Sequence, residues 1–263
     1  MPAIVVALWL LMLACLPASA LAEAQRVRVL SYYNFLPWND HDRAGLTPAL
    51  ARRLTELSAG RYRFVPQLLP RRRFDQELAS SREPLVVAWA NPGFLDDAQR
   101  RRYLWSPPLL KDVSLLVSRR ERPVDFSGVE SLAGLRFSAV SGHRYPDLEP
   151  LIAAGRLARV DAPDARLALM KLLFRPDSDF AFAELSLLGY LRRDPSFPID
   201  QLHLSARPRL TSLTRHLMVR RRDAALFAEL DALLRRLDCD SRWQATLREY
   251  GQEKLRVACA PAP

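Results

Sequence analysis

Residues 27–54 read VRVLSYYNFLPWNDHDRAGLTPALARRL. Val27, Val29 and Ser31 alternate with Arg28 and Leu30, the period of a short strand. The chain then enters an aromatic loop, and Thr47 followed by Pro48 predicts a helix start, with Thr47 as N-cap and Pro48 in the first turn. Leu46, Leu50, Leu54 and Leu57 share one stripe of that helix. Strand, loop and helix in this order form the first unit of an α/β sheet.

The same alternation runs on. RYRFV (61–65) reads as a strand, a short helix surrounds Phe74 and Leu78, and LVVAWA (85–90) is a strand apolar on both faces, as the middle of a parallel sheet requires. Residues 96–104, DDAQRRRYL, predict a helical turn before Trp105-Ser106-Pro107-Pro108, and VSLLVS from Val113 predicts the next strand. A second series follows: LRFSAV (135–140), a turn at Ser141-Gly142, a helix near 146–154, strand RLARV (156–160), helix 164–174, strand DFAFA (179–183) and helix 184–193. The chain closes with strand TRHLMVR (214–220), a helix carrying Leu226, Leu230, Leu233 and Leu237, and a last helix from a capping Asp240 to a stop at Gly251. Strands alternating with helices imply mostly parallel sheets.

Composition narrows the setting. Residues 1–22 hold no charged side chain, run apolar from Ile4 to Leu16, and end with Ala20 and Ala22 at the small-x-small positions of a cleavage site before Glu23. This reads as a secretory signal peptide and predicts a periplasmic protein; Cys15 as a lipidation site is the alternative. After residue 22 two cysteines remain, Cys239 at the end of a helix and Cys259 in the tail, and an oxidising compartment predicts that they form a disulfide. The formal charge is +10, and only Lys111, Lys171 and Lys254 among 39 basic residues are lysine. Export sets aside the nucleic-acid partner that such a charge suggests in a cytoplasmic protein, leaving anionic ligands, an anionic membrane surface, or arginine spread over a solvated surface.

The order of these motifs resembles the extracellular solute-binding proteins of family 3, the polar amino-acid-binding class served by ABC importers, over nearly all of the chain after residue 22. Residues 27–54 stand for the family's opening strand, aromatic-Pro-aromatic loop, Gly and helix. Trp105-Ser106-Pro107-Pro108 stands for its Phe-Ser-x-Pro signature, and SLAGLRFSAVSGHRYPDL (131–148) for the start of its second lobe. The resemblance implies an α/β, two-lobed periplasmic-binding-protein fold of type II, with mostly parallel sheets flanked by helices and two hinge crossovers. Lobe one is then expected at 27–112 plus 213–258 and lobe two at 113–212, with ligand between them at the C-terminal ends of the strands.

Candidate ligand contacts follow from the resemblance, each with a plainer reading. Tyr33, Phe35 and Trp38 form an aromatic wall or pack the loop onto the core. Trp89 and Asn91 stand where the family binds an amine, although Asn91 before Pro92 also fits a cap. The family's carboxylate-binding Arg falls on Gln99, with Asp96 at its Thr; Arg100 or Arg101, after a one-residue shift, or Arg73 from the preceding helix can substitute, and Arg144 in the second lobe can clamp a carboxylate or phosphate. Ser141, His143 and Arg144 end a strand where free backbone N–H groups attract anions. Glu184 stands for the family's strand-end Asp, or is a helix N-terminal acid.

The implied function is capture of a small polar solute, an amino acid or organic anion, by a monomer that presents it to an ABC permease. The alternatives are an exported binding protein serving a membrane sensor without transport, and a dehydratase-like enzyme using Glu184 and His143 as acid and base. No nucleophile elbow, phosphate loop or metal-ligand cluster is legible, so no cofactor is expected.

Overall fold

The computed structural model describes residues 23–40, 44–257 and 259. The signal peptide read in residues 1–22, Cys15 included, lies outside the described residues. The first half contains β1 (Gln25–Ser31), α1 (Leu46–Leu57), β2 (Tyr62–Leu68), α2 (Arg71–Ser80), β3 (Leu85–Ala90), β4 (Tyr103–Trp105) and β5 (Leu110–Arg119). Then come β6 (Arg136–Val140), α3 (Glu149–Ala153), β7 (Ala158–Ala162), α4 (Ala165–Phe174), β8 (Phe180–Glu184), α5 (Leu185–Leu191) and β9 (Leu202–Leu204). β10 (Leu210–Arg220), α6 (Ala224–Asp238) and α7 (Ser241–Glu249) complete the chain.

The strands lie in the order β2-β1-β3-β10-β5-β8-β6-β7, with β4 also on β10 and β9 also on β5. Each lobe has a parallel nucleus: β1 runs parallel to β2 and β3, and β6 runs parallel to β7 and β8. The long strands β5 and β10 are antiparallel to all their partners. β10 pairs with β5 through its first half and with β3 and β4 through its second, so it belongs to both lobes. Its register shifts between Leu210 and Leu213 and again between His216 and Met218, on either side of the crossing.

Side-chain alternation distributes the core. On β8, Ala181 and Ala183 join the main core with Leu169, Leu172 and Leu187, while Phe180 and Phe182 face the other side and pack with Phe137 and Leu148. In lobe one Leu50, Leu54, Phe74, Leu85, Trp38 and Trp89 are all buried in the main core. Cys239 is bonded to Cys259, 20 residues on, tying the tail to the end of α6. Among the described residues no helix is long and apolar enough to cross a membrane.

Two local expectations need correction. The N-cap of α1 is Gly45 (φ 118°), not Thr47. Thr47 is fully buried and its Oγ1 accepts the indole N–H of Trp89 at 2.8 Å, a partner from β3 that outcompetes capping. Residues 96–104 form no α-helix; a 3₁₀ turn at Pro92–Leu95 precedes β4 instead. Asp97 explains this, because its buried carboxylate accepts the backbone N–H groups of Arg101, Arg102 and Tyr103 and the indole N–H of Trp105, at 2.7 to 3.1 Å. A side chain that gathers the amides of the following residues replaces the helical ladder.

Candidate functional site in the interlobe cleft

The C-terminal ends of β1 and β2 face those of β6, β7 and β8, and a cavity of about 360 Å³ lies between them. Lobe one supplies Tyr32, Tyr33 and Phe35 from the loop after β1, Arg71 from the first turn of α2, and Phe94 and Asp96 from the turn after β3. From the other side come His143, Arg144, Tyr145, Phe182, Glu184 and Arg209.

Most of the cavity's cations are already engaged. Arg71 donates to Asp75 at 3.0 Å and lies over the Tyr32 ring at 4.9 Å. Arg209 donates from Nε to Asp147 at 2.8 Å and stacks on Phe182 at 4.6 Å. Among the described residues Arg144 and the Glu184 carboxylate have no hydrogen bond or ion pair with another residue. A guanidinium and a carboxyl group without a hydrogen-bonding side-chain partner among the described residues therefore stand on the lobe-two wall, the carboxyl within electrostatic reach of Arg215 and Arg209. Burial raises the pKa of Glu184, nearby Asp112 adds to the rise, and Arg215 opposes it. Burial also pushes His143 down to about 4, helped by the charges of Arg71, Arg215 and Arg159. His143 is thus a neutral imidazole at pH 7, able to donate one hydrogen bond and accept another.

Beneath the cavity sits a buried ion pair. Arg215 of β10 contacts Asp112 of β5 at 3.3 Å, donates to the Tyr33 hydroxyl at 2.6 Å, and lies over both the Tyr33 and Trp38 rings at 5.2 and 5.1 Å. Asp112 in turn accepts the N–H and hydroxyl of Ser186 at the start of α5. Burial disfavours the Arg215 charge, but Tyr33, Asp112 and Glu184 outweigh it and raise its pKa. The node joins both crossover strands, the aromatic loop and lobe two.

The sequence candidates divide on this geometry. Tyr33, Phe35, His143, Arg144 and Glu184 line the cavity, and Ser141 lines its outer continuation. Trp38 and Trp89 are buried and pack on each other, centroids 4.9 Å apart. Trp89 has φ 61°, and this turn of the backbone accompanies an indole held in the core. Asn91 caps the 3₁₀ turn through Gly93 N–H and donates to the Thr214 carbonyl. Arg73 is exposed on α2, outside the cavity, and Arg100 reaches only His216, at 3.5 Å. Arg71, Arg209, Arg215, Tyr32, Tyr145 and Phe182 were not singled out from sequence. Arg71 carried a signal, since it precedes the buried Phe74 by three residues and shares its helix face, whereas Arg73 does not.

No family model matches the sequence, and no curated protein matches it. Solved structures do match the fold. An ancestral arginine-binding protein bound to arginine is 12% identical, with TM-score 0.65, covering 88% of this chain and 99% of that one. A structure from the study of glutathione import in Gram-positive bacteria via GshT and the cystine ABC importer TcyBC of Streptococcus mutans is 12% identical, with TM-score 0.71, covering 90% and 98%. The periplasmic domain of B. pertussis BvgS is 15% identical, with TM-score 0.64, covering 88% of this chain and 43% of that one. Crossover strands shared between two lobes, a cleft at the strand ends and these likenesses together give the chain the two-lobed, type II periplasmic-binding-protein fold.

Proposed function

We infer that the protein is a periplasmic solute-binding protein that closes its lobes, 27–112 with 213–258 and 113–212, around one small polar solute. The observation that carries this reading is the pair of groups without a hydrogen-bonding side-chain partner among the described residues, Arg144 and Glu184, on a cavity wall that faces the aromatic loop and Arg71. A solute bearing both an anionic and a cationic or hydroxyl group satisfies both, and a carboxylate takes the guanidinium bidentately. The arginine-binding and cystine-importer likenesses support a solute of this kind. Among the described residues no nucleophile is posed against a base in the cavity, and binding without turnover is the expected activity.

The carboxylate anchor in this reading has moved. Gln99, at the family's Arg position, lies outside the cavity, and Arg144 and Arg71 act in its stead. Delivery to an ABC permease is the first reading of the partner. A membrane sensor served without transport is the second. Native mass spectrometry of the protein purified from the periplasm tests the reading. A stoichiometric small-molecule adduct in wild type that is lost in Glu184→Gln supports it, and an adduct retained unchanged in that variant counts against it.

A further inference from the structure

The 360 Å³ cavity does not end at Arg71 and His143. A second chamber of about 720 Å³ continues from it and shares Tyr32, Arg71, Val140 and His143 as a common neck. Its position follows from the strand order. The inner cavity sits over β1, β8 and β6, close to the crossover strands, whereas the second chamber lies toward the outermost strands, between Leu68–Pro70 after β2 and Asp161–Pro163 after β7. One molecule can therefore run from the inner cavity outward along the cleft.

The two chambers differ in chemistry. The inner one holds the free charges. The outer one is walled by Leu68, Leu69, Pro70, Val140, Ala162 and Pro163, with Asn34 and Ser141 at its polar margin. Asp161 on the same margin is already paired with Arg159 at 2.9 Å. A wall of this kind gains free energy by removing methylenes from water, and the two charged groups that line it, Arg71 at the neck and Asp161 at the margin, are already paired with Asp75 and Arg159.

We propose that the outer chamber is a subsite for an apolar extension, so that the solute is a zwitterion with a long aliphatic side chain rather than a compact amino acid. The proposal rests on the reading of Arg144 and Glu184 as the head-group site. With the head held there, the side chain leaves past Tyr32 and Val140 and lies against Leu69 and Pro163.

Calorimetric titration with 2-aminobutanoate, 2-aminohexanoate, 2-aminooctanoate and 2-aminodecanoate tests it. Affinity is expected to rise about fourfold for each methylene that enters the chamber, at roughly 0.8 kcal/mol per buried CH₂. Pro163→Trp and Asn34→Trp fill the chamber from opposite walls at exposed positions, so each is expected to abolish the chain-length gain while 2-aminobutanoate binds as in wild type. If 2-aminobutanoate binds and longer chains gain nothing, the subsite is wrong and the head-group site stands. A gain that survives both Trp variants also overturns the subsite. Binding by no member of the series overturns the head-group reading and the subsite with it.

Discussion

Arg215 and Asp112 show how much a single residue pair carries here, since their side chains are only 1% and 0% exposed. Removing one partner of such a pair strands the other charge in the core, so Asp112→Ala is expected to cost about 3–5 kcal/mol in urea unfolding. The double change Asp112→Ala with Arg215→Met is expected to recover much of that loss; recovery of none would show that the charge is not what the single variant strands. His143 gives a pH signature. Its folded-state pKa of about 4 lies below the ordinary 6.5, chiefly through burial and then through Arg71, Arg215 and Arg159. The unfolded chain therefore takes up this proton first, so the stability contributed by the neutral ring is whole above about pH 6.5 and is lost as pH falls toward 4. Thermal melts across that window are expected to fall less steeply in His143→Gln than in wild type. Residue roles were the least legible level of the sequence. Trp38 and Trp89 read equally well as ligand wall or core until their mutual packing was seen, and Arg215 depends on a partner 103 positions away, which no local pattern records.

Elements were more legible, because strand and helix periodicities are local. LVVAWA forms β3 as read, and its central place between β1 and β10 explains why both its faces are apolar. Asp164 and Asp240 cap α4 and α7 through the N–H groups of Leu167 and Trp243. The failures came where a side chain made a non-local or competing bond. Thr47 serves the Trp89 indole instead of its own helix, and Asp97 winds residues 97–102 into a loop leading to β4 where composition favoured a helix. Asp97 is only 3% exposed, and its hydrogen bonds, opposed by burial, leave its pKa below the ordinary value. Asp97→Ala strands several amides at once and is expected to lower stability by at least about 2 kcal/mol, read as a fall in the urea midpoint. A midpoint unchanged from wild type would mean that the loop holds its shape without the carboxylate.

At the scale of the molecule, the tandem α/β series and the resemblance made two lobes and two crossovers legible, while a further link between them was not. β5 and β10 carry the crossovers, and a third link lies between α5 and the turn after α7. Gly189 and Gly251 meet so closely that a Cβ at 189 would stand 2.5 Å from the Gly251 carbonyl oxygen, and Gln252 Nε2 donates to the Ser186 carbonyl at 2.9 Å. The arginine excess also has structural uses that composition alone does not reveal: Arg220 binds the Ser81 and Glu83 carbonyls, and Arg221 binds that of Arg101. The joined lobes leave a cleft in which, among the described residues, Arg144 and the Glu184 carboxyl lack a hydrogen-bonding side-chain partner, and capture of a solute by those two groups is the central claim. The most direct measurement is calorimetric titration of wild type and of the double variant Arg144→Ala with Glu184→Gln, using the solute identified by mass spectrometry. Loss of one charge-assisted contact weakens binding about 10- to 100-fold, so the double variant is expected to bind at least 100-fold more weakly with unchanged thermal stability in the absence of solute. Equal affinity in the two proteins would contradict the account.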